Sequence, residues 1–372
     1  MKNIRTHVFT NIPSFLFLKQ SRDFSHVVDD VEFSFGLEVP ENIDVLILYT
    51  RASYSVPTKL PKSRTAFFAG EPDVIHPYKS SYLNQFGLVI SSTSQILNTE
   101  HWRNSACSMP FVGMDFRNLE NSQSIFDFEK MPIPKKLDDK ISIVTSHKSF
   151  TQYHRDRNQF IEQLIDKIPE KLEIFGRGRK SVHDKKDAIL PFKYHIALEN
   201  GGGPFAWTEK LADPLLCYSY PFYFGCDNLE EDMPSNCFEY INIYNVDDAI
   251  NQMMSAVKNN TWKANLPAIR DGRSLIFTKF NLMNKFAEIS HHLVNKAPDI
   301  PLSTKNNLVL RSERSHWPEA GTRGNYIEMM LRRVLISIHP NTELRFAKLN
   351  KKFEQIRISR RNRKIKKIES RK

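Results

Sequence analysis

Residues 194–210, YHIALENGGGPFAWTEK, decide how this chain is to be read. Tyr194, Ile196, Ala197 and Leu198 form a short apolar run that predicts a strand, and Gly201, Gly202, Gly203 and Pro204 predict a turn. A helical pattern continues through Leu211, Leu215 and Leu216. Glycines permit positive φ and close backbone approach. An emerging helix aims unpaired N–H groups and its positive dipole end at an anion. Lys210, just inside that helix, would add a mobile positive charge beside a diphosphate. The same three elements also make an ordinary strand–turn–helix connection in any α/β protein, and glycines alone do not separate the two readings.

The residues beyond the turn do separate them. Asp213 and Pro214 lead into Tyr220, Pro221, Phe222, Tyr223, Phe224 and Gly225, and then to Phe238–Asn242. From Glu199 to Gly225 the order is Glu-Asn, a seven-residue spacer, Thr-Glu-Lys, Asp, then Pro, three apolar residues and Gly. This block resembles the donor-binding half of glycosyltransferase family 10, the α-1,3/1,4-fucosyltransferases, in its bacterial form. Two more pieces resemble that family in the same order. Phe67-Phe68-Ala69-Gly70-Glu71 is similar to its Gly-Glu element, and Arg157, Asn158 and Phe160 to its Arg-Asn-x-Phe helix. The resemblance covers roughly residues 65 to 245. It implies a GT-B fold: two Rossmann-like, doubly wound α/β domains facing a cleft.

Length and charge set outer bounds. A chain of 372 residues suits two domains rather than one core. Hydrophobic content of 40% and aromatic content of 11% exclude a disordered chain. Four cysteines (Cys107, Cys217, Cys226, Cys237) stand at the spacing of no metal module, and reduced thiols in a cytosolic compartment are the simplest account. The apolar stretch from Ile12 to Leu18 is short, broken by Pro13 and trailed by no small-residue cleavage pattern, so no signal peptide is expected. The run Val45–Tyr49 falls far below the ~20 residues that span a bilayer.

The net charge of +11 suggests a nucleic-acid partner until it is located. Residues 343–372 hold 13 Lys and Arg against three Glu, while the preceding 342 residues carry 40 basic and 39 acidic side chains. The charge is therefore a tail. Phe346, Leu349, Phe353 and Ile356 recur there at three- and four-residue steps among the cations. That pattern describes a basic amphipathic helix resting on an anionic membrane surface. An extension packed on the body or on a second chain is the alternative. With no aromatics after Phe353 for base stacking, nucleic acid is not expected.

Strands are predicted at Thr6–Thr10, Val45–Tyr49, Thr65–Ala69 and Leu88–Ser91, then at Lys140–Thr145, Leu172–Phe175, Lys193–Leu198 and Tyr220–Phe224. A helix is predicted from about Arg155 to Ile168. Residues Asn118 to Asp139, with Pro132 and Pro134, read as a linker. Strands alternating with helices predict mostly parallel sheets. The expected units are an acceptor-side domain over 1–139, a donor domain over 140–300, closing helices over 301–340 and the basic tail over 341–372. In the closing helix Tyr326–Ile338, Ile327, Leu331, Val334 and Leu335 share one face.

Transfer from a nucleotide sugar leaves negative charge on a departing diphosphate and a proton on the acceptor hydroxyl. No strict Asp-x-Asp occurs in the chain, so protein groups rather than a metal are expected to neutralise the diphosphate, and no cofactor is required. The resemblance assigns that task to Arg157 and Lys210, supported by the Gly201, Gly202 and Gly203 backbone. Glu209 is expected to accept from ribose hydroxyls, the usual acidic device for a diol. Asn200 either donates to a phosphate oxygen or caps the turn. Glu199 is expected to face the cleft, since an unpaired buried carboxylate is costly. Arg177, Arg179 and Lys180 read as solvated loop charges. Glu71 is the base that the resemblance implies, in an inverting single displacement, and it would need partial burial to work near neutral pH. His76 is a weaker substitute. Ala206 departs from the family, whose bacterial members carry an aromatic hydroxyl there; Phe205 and Trp207 flank it with rings.

Together these features point to a fucosyltransferase moving L-fucose from GDP-fucose to a surface glycan such as lipopolysaccharide or capsule. The expected setting is the cytoplasm, peripheral to the inner membrane. The alternatives are the same fold with another nucleotide sugar, or a non-catalytic binding protein with a basic tail. Acceptor, linkage and oligomeric state are not legible.

Overall fold

The computed structural model describes residues 3–50, 54–103, 109–115, 117–134, 138–146, 152–296, 308–316, 325–339 and 342. The basic segment 343–372, on which the membrane expectation rests, lies outside the described residues.

The first half runs β1 (Ile4–Phe9), α1 (Ser14–Leu18), β2 (Val27–Val28), β3 (Val31–Gly36), β4 (Val45–Tyr49), β5 (Val56–Thr58), β6 (Thr65–Phe68), α2 (Ser80–Leu83), β7 (Leu88–Ser91) and β8 (Glu100–Arg103). Seven of these strands form one sheet in the order β2-β3-β1-β4-β6-β7-β8, parallel throughout except for the short β2–β3 pair. Every residue of β4 is buried, as a central parallel strand covered on both faces requires. The sequence missed β3 and β8 because Glu32, Ser34, Glu100 and His101 dilute their apolar pattern.

The second half runs α3 (Ile125–Glu129), β9 (Asp138–Ser146), α4 (Gln152–Lys167), β10 (Leu172–Arg177), β11 (Phe192–Leu198), α5 (Glu209–Leu216), β12 (Tyr220–Phe224), β13 (Glu239–Tyr240), α6 (Val246–Lys258), α7 (Thr261–Ala264), α8 (Leu266–Phe277), α9 (Leu282–Lys296), β14 (Leu308–Leu310) and α10 (Asn325–Ile338). Its five-stranded parallel sheet has the order β10-β9-β11-β12-β13. The winding direction reverses between β1 and β4 in the first sheet and between β9 and β11 in the second. Ligands of open α/β sheets sit beyond the carboxyl ends of strands at such reversal points. Both points open into the same cleft, and the two doubly wound halves expected from the sequence are present.

Three details depart from expectation. The segment read as a linker holds the helix α3, started by Ser124 and Asp127 in a reciprocal capping box, with Ile125 and Phe128 buried in the second core. Helix α9, assigned by sequence to the donor unit, packs Leu282, Met283, Phe286, Ile289 and Leu293 into the first core beside Val8, Phe17 and Val45. β14 likewise pairs antiparallel with β5. The chain thus crosses back, and sequence proximity offered no hint of it because α9 is apolar on a stripe that fits either sheet. In α10 two residues of the apolar face look outward. Leu331 and Val334 are 57% and 54% exposed, while Ile336 is buried.

Candidate functional site

A cavity of about 740 Å³ lies between the two sheets. From the first half it is lined by Ile12 after β1, Tyr49 and Thr50 at the end of β4, and Gly70, Glu71, Pro72 and Ile75 after β6. From the second half come Val144, Thr145, Ser146, Arg157, Gly176, Ser181, Val182, Lys185, Glu199, Asn200, Gly201, Thr208, Glu209 and Lys210. The fold therefore brings into one space Glu71, Arg157, Glu199, Asn200, Gly201, Glu209 and Lys210. Gly202 does not border the cavity.

The chemistry of the turn differs from a simple phosphate cradle. Glu199 is 2% exposed, and both its oxygens serve Thr208: Thr208 N donates to Oε1 at 2.8 Å and Thr208 Oγ1 to Oε2 at 2.6 Å. It borders the cavity, yet it acts as a clasp across the two ends of the glycine turn rather than as an open cleft acid. Thr208 caps α5, its Oγ1 accepting from Lys210 N at 3.4 Å. The first-turn amides expected to be open to an anion are thus partly taken.

The glycines serve packing as much as conformation. Only Gly203 of the three has positive φ, at 104°. A Cβ on Gly201 would stand 2.5 Å from Val74 Cγ1, which reaches across from the first half. A Cβ on Gly202 would stand 2.6 Å from the Tyr153 hydroxyl. Absent side chains at 201 and 202 let the opposite domain and α4 close on the turn.

Charge in the cavity is tightly paired. Lys210 Nζ lies 3.0 Å from Glu209 Oε1 and 3.6 Å from Glu199 Oε2, and donates to Thr208 Oγ1 at 3.3 Å. It is a held cation, not the mobile one the sequence suggested. Burial would lower its amine, but Glu209 and Glu199 raise it above the usual lysine value. Burial would raise the Glu209 carboxyl, yet Lys210 and then Lys185 bring it down to about 2. Burial raises Glu199, with Lys210 opposing. Arg157, buried in the first half of α4, donates from Nη1 to Asn200 Oδ1 at 2.6 Å and from Nη2 to Ser146 O at 3.4 Å, leaving Nε without a partner among the described residues. Asn200 is therefore an acceptor for Arg157.

Glu71 stands where the sequence put it, on the loop after β6 facing the cavity, but it is exposed rather than partly buried. The loop projects past the strand ends, so no core packs over it. His76 is committed to Glu313, 2.5 Å from its Nε2, and does not line the cavity. Arg179 pairs with Glu162 at 2.6 Å and Lys180 with Glu173 at 3.6 Å, and neither lines the cavity. Trp207 offers no ring to a ligand: it is fully buried against Phe280, its indole donating to Asp232 at 3.0 Å.

Sequence reasoning missed a buried polar hub beneath the site. Lys185 Nζ lies 2.7 Å from Asp213 Oδ2, and Asp213 Oδ1 accepts from Phe111 N at 2.9 Å and Val112 N at 3.2 Å. Lys19, from the first half, donates to Pro110 O at 3.0 Å and Val112 O at 2.9 Å. Asp184 accepts from Gly113 N at 2.9 Å. Burial lowers the Lys19 amine to about 8, with Asp213 and Asp184 opposing. These groups fix the chain crossing between the halves. The aspartate within the motif block was a signal, but nothing marked Lys185 or Lys19 among ordinary surface lysines. Among the described residues no group of three or more His, Cys, Asp or Glu is placed to hold a metal ion.

No family model and no curated protein matches the sequence. Among solved structures, the chain is similar to an α1,3-fucosyltransferase with GDP-fucose, 18% identical over 78% of this chain and 90% of that one, at a TM-score of 0.46. The same enzyme type with GDP is 16% identical over 78% and 91%, at 0.48. The trehalose-6-phosphate synthase OtsA is 9% identical over 73% and 74%, at 0.42.

Proposed function

We propose that the chain is a nucleotide-sugar glycosyltransferase, moving L-fucose from GDP-fucose to a hydroxyl of a surface glycan with inversion. The observation that carries this reading is one cavity at both sheet reversal points, holding Glu71 from one half and Arg157, Glu209 and Lys210 from the other. Arg157 presents a guanidinium already oriented by Asn200, suited to a phosphate oxygen. Lys210 and Lys185, each held by acidic partners at the cavity wall, place ammonium groups where the diphosphate departs, so that protein groups rather than a metal would stabilise the leaving group. Glu209, ionised down to about pH 2, accepts from a ribose diol. Glu71 takes the proton from the acceptor hydroxyl as the bond to the anomeric carbon forms. Its exposure suits a base that acquires its working environment when the acceptor covers it.

Ala206 is buried and supplies no hydroxyl, which keeps another nucleotide sugar as the alternative donor. For the setting, no described helix is long and apolar enough to cross a membrane. α10 presents Met330, Leu331, Val334 and Ile338 to solvent, immediately before the cationic segment 343–372. An apolar stripe beside clustered cations favours peripheral contact with an anionic membrane surface, on the cytoplasmic side.

A thermal-shift panel with GDP, UDP, CDP, ADP and dTDP, each with EDTA, tests the donor class. A nucleotide at 100 times its dissociation constant adds about 2.7 kcal/mol of stability. Stabilisation by GDP alone supports the proposal; preference for another base removes fucose; no shift with any removes the transferase reading.

A further inference from the structure

Beside the glycine turn, and outside the cavity lining, lies a cluster of three rings. Tyr153 on α4, Phe224 at the end of β12 and Tyr244 beyond β13 stand in a row. Ring centroids are 6.2 Å apart for the first pair and 5.8 Å, near-perpendicular, for the second. Tyr244 is 65% exposed. Its hydroxyl donates to Asp156 Oδ2 at 3.0 Å, and Gln152 Nε2 donates to Asp156 Oδ1 at 2.6 Å. The Tyr153 hydroxyl abuts Gly202, joining the row to the turn.

Sheet topology fixes which substrate this cluster can serve. The cavity spans the ends of β10, β9 and β11, through Gly176, Ser146 and Glu199. β12 and β13 lie on the opposite side of β11. With a diphosphate at Arg157 and a ribose at Glu209, the stretch of cavity toward Gly176 and Val182 is the room left for a base, and no residue of β12 or β13 lines the cavity. The exposed Tyr244 ring, backed by the half-buried Tyr153 and Phe224, offers an aromatic surface outside the cavity. An aromatic face matches the C–H face of a pyranose. A carboxylate holding one hydrogen bond on each oxygen still has lone pairs for sugar hydroxyls. A lipid surface or a packed helix would find no use for the buttressed carboxylate.

We propose that Tyr153, Phe224 and Tyr244, with Gln152 and Asp156, form a carbohydrate platform that seats the acceptor glycan beside the donor. The proposal rests on the glycosyl-transfer reading above, and its test separates the two. Purified wild-type protein, Tyr244→Ala and Tyr244→Phe are applied to a printed array of bacterial and mammalian oligosaccharides, and each is given the nucleoside diphosphate panel in parallel. The expected result is glycan binding by the wild type, at least tenfold weaker with Tyr244→Ala and largely kept with Tyr244→Phe, with nucleotide stabilisation intact in all three. Equal glycan binding by Tyr244→Ala, or no glycan bound by the wild type, overturns the platform. Loss of nucleotide stabilisation in Tyr244→Ala overturns it in favour of a base-stacking role. Absent nucleotide stabilisation in the wild type instead strikes the transferase reading, while ring-dependent glycan binding would still stand.

Discussion

Replacing Glu209 with Gln should expose how strongly the cavity cations hold that carboxylate. Its folded value of about 2, against an ordinary 4.5, means that the ionised form is preferred on folding. The difference corresponds to roughly 3 kcal/mol. Because the folded value is depressed, this stability is fully present above pH 4.5 and is lost as pH falls through about 2. By pH 3 roughly half of it should be gone. In Glu209→Gln, Lys210 keeps Thr208 and the more distant Glu199, so the cation stays in place but loses its nearest counter-charge. Urea unfolding of both proteins at intervals between pH 7 and pH 3 measures the difference and cancels titrating groups remote from Glu209, leaving its own titration and that of the neighbouring Glu199. The wild type should be more stable by roughly 3 kcal/mol at neutral pH, the gap narrowing by about half at pH 3. A gap that is absent at pH 7, or that does not change with pH, would refute the idea that Lys210 and Lys185 hold this carboxylate.

Glu71→Gln should keep nucleotide stabilisation and lose transfer; full turnover in that variant would remove Glu71 as the base. Arg157→Lys loses the guanidinium oriented by Asn200 Oδ1 and Ser146 O, and with one charged hydrogen bond to a phosphate lost at ~1.5–3 kcal/mol the nucleotide should bind about 10- to 150-fold more weakly by calorimetry. Gly176→Ala puts a Cβ 1.9 Å from Thr145 O at φ of 122°, whereas Gly36→Ala at φ of 134° meets nothing within 4 Å. The first should cost more than about 4 kcal/mol and the second about 1–2 kcal/mol in thermal unfolding, and comparable losses would refute the contact as the cause. Asp213→Ala removes the carboxylate that pairs with Lys185 and accepts from the Phe111 and Val112 amides, with about 3–5 kcal/mol of destabilisation expected.

The alternation of strands and helices was legible from the amino acids alone, because apolar runs such as Val45–Tyr49 and Tyr220–Phe224 belong to strands covered on both faces. So was the turn between β11 and α5, since three glycines, a capping threonine and a helical pattern after them are local signals. The roles of the side chains at that turn emerged only with the folded chain. Glu199 became a clasp for Thr208, and Lys210 a fixed cation, because burial makes an unpaired charge costly and forces each to find its nearest opposite. The hub of Lys19, Asp184, Lys185 and Asp213 was invisible for the same reason: it joins residues far apart in sequence, which acquire meaning from the chain crossing they fix. The return of α9 to the first core and the outward face of α10 were likewise undecided locally. An amphipathic stripe specifies that something must cover it, while the packing of the whole chain decides what.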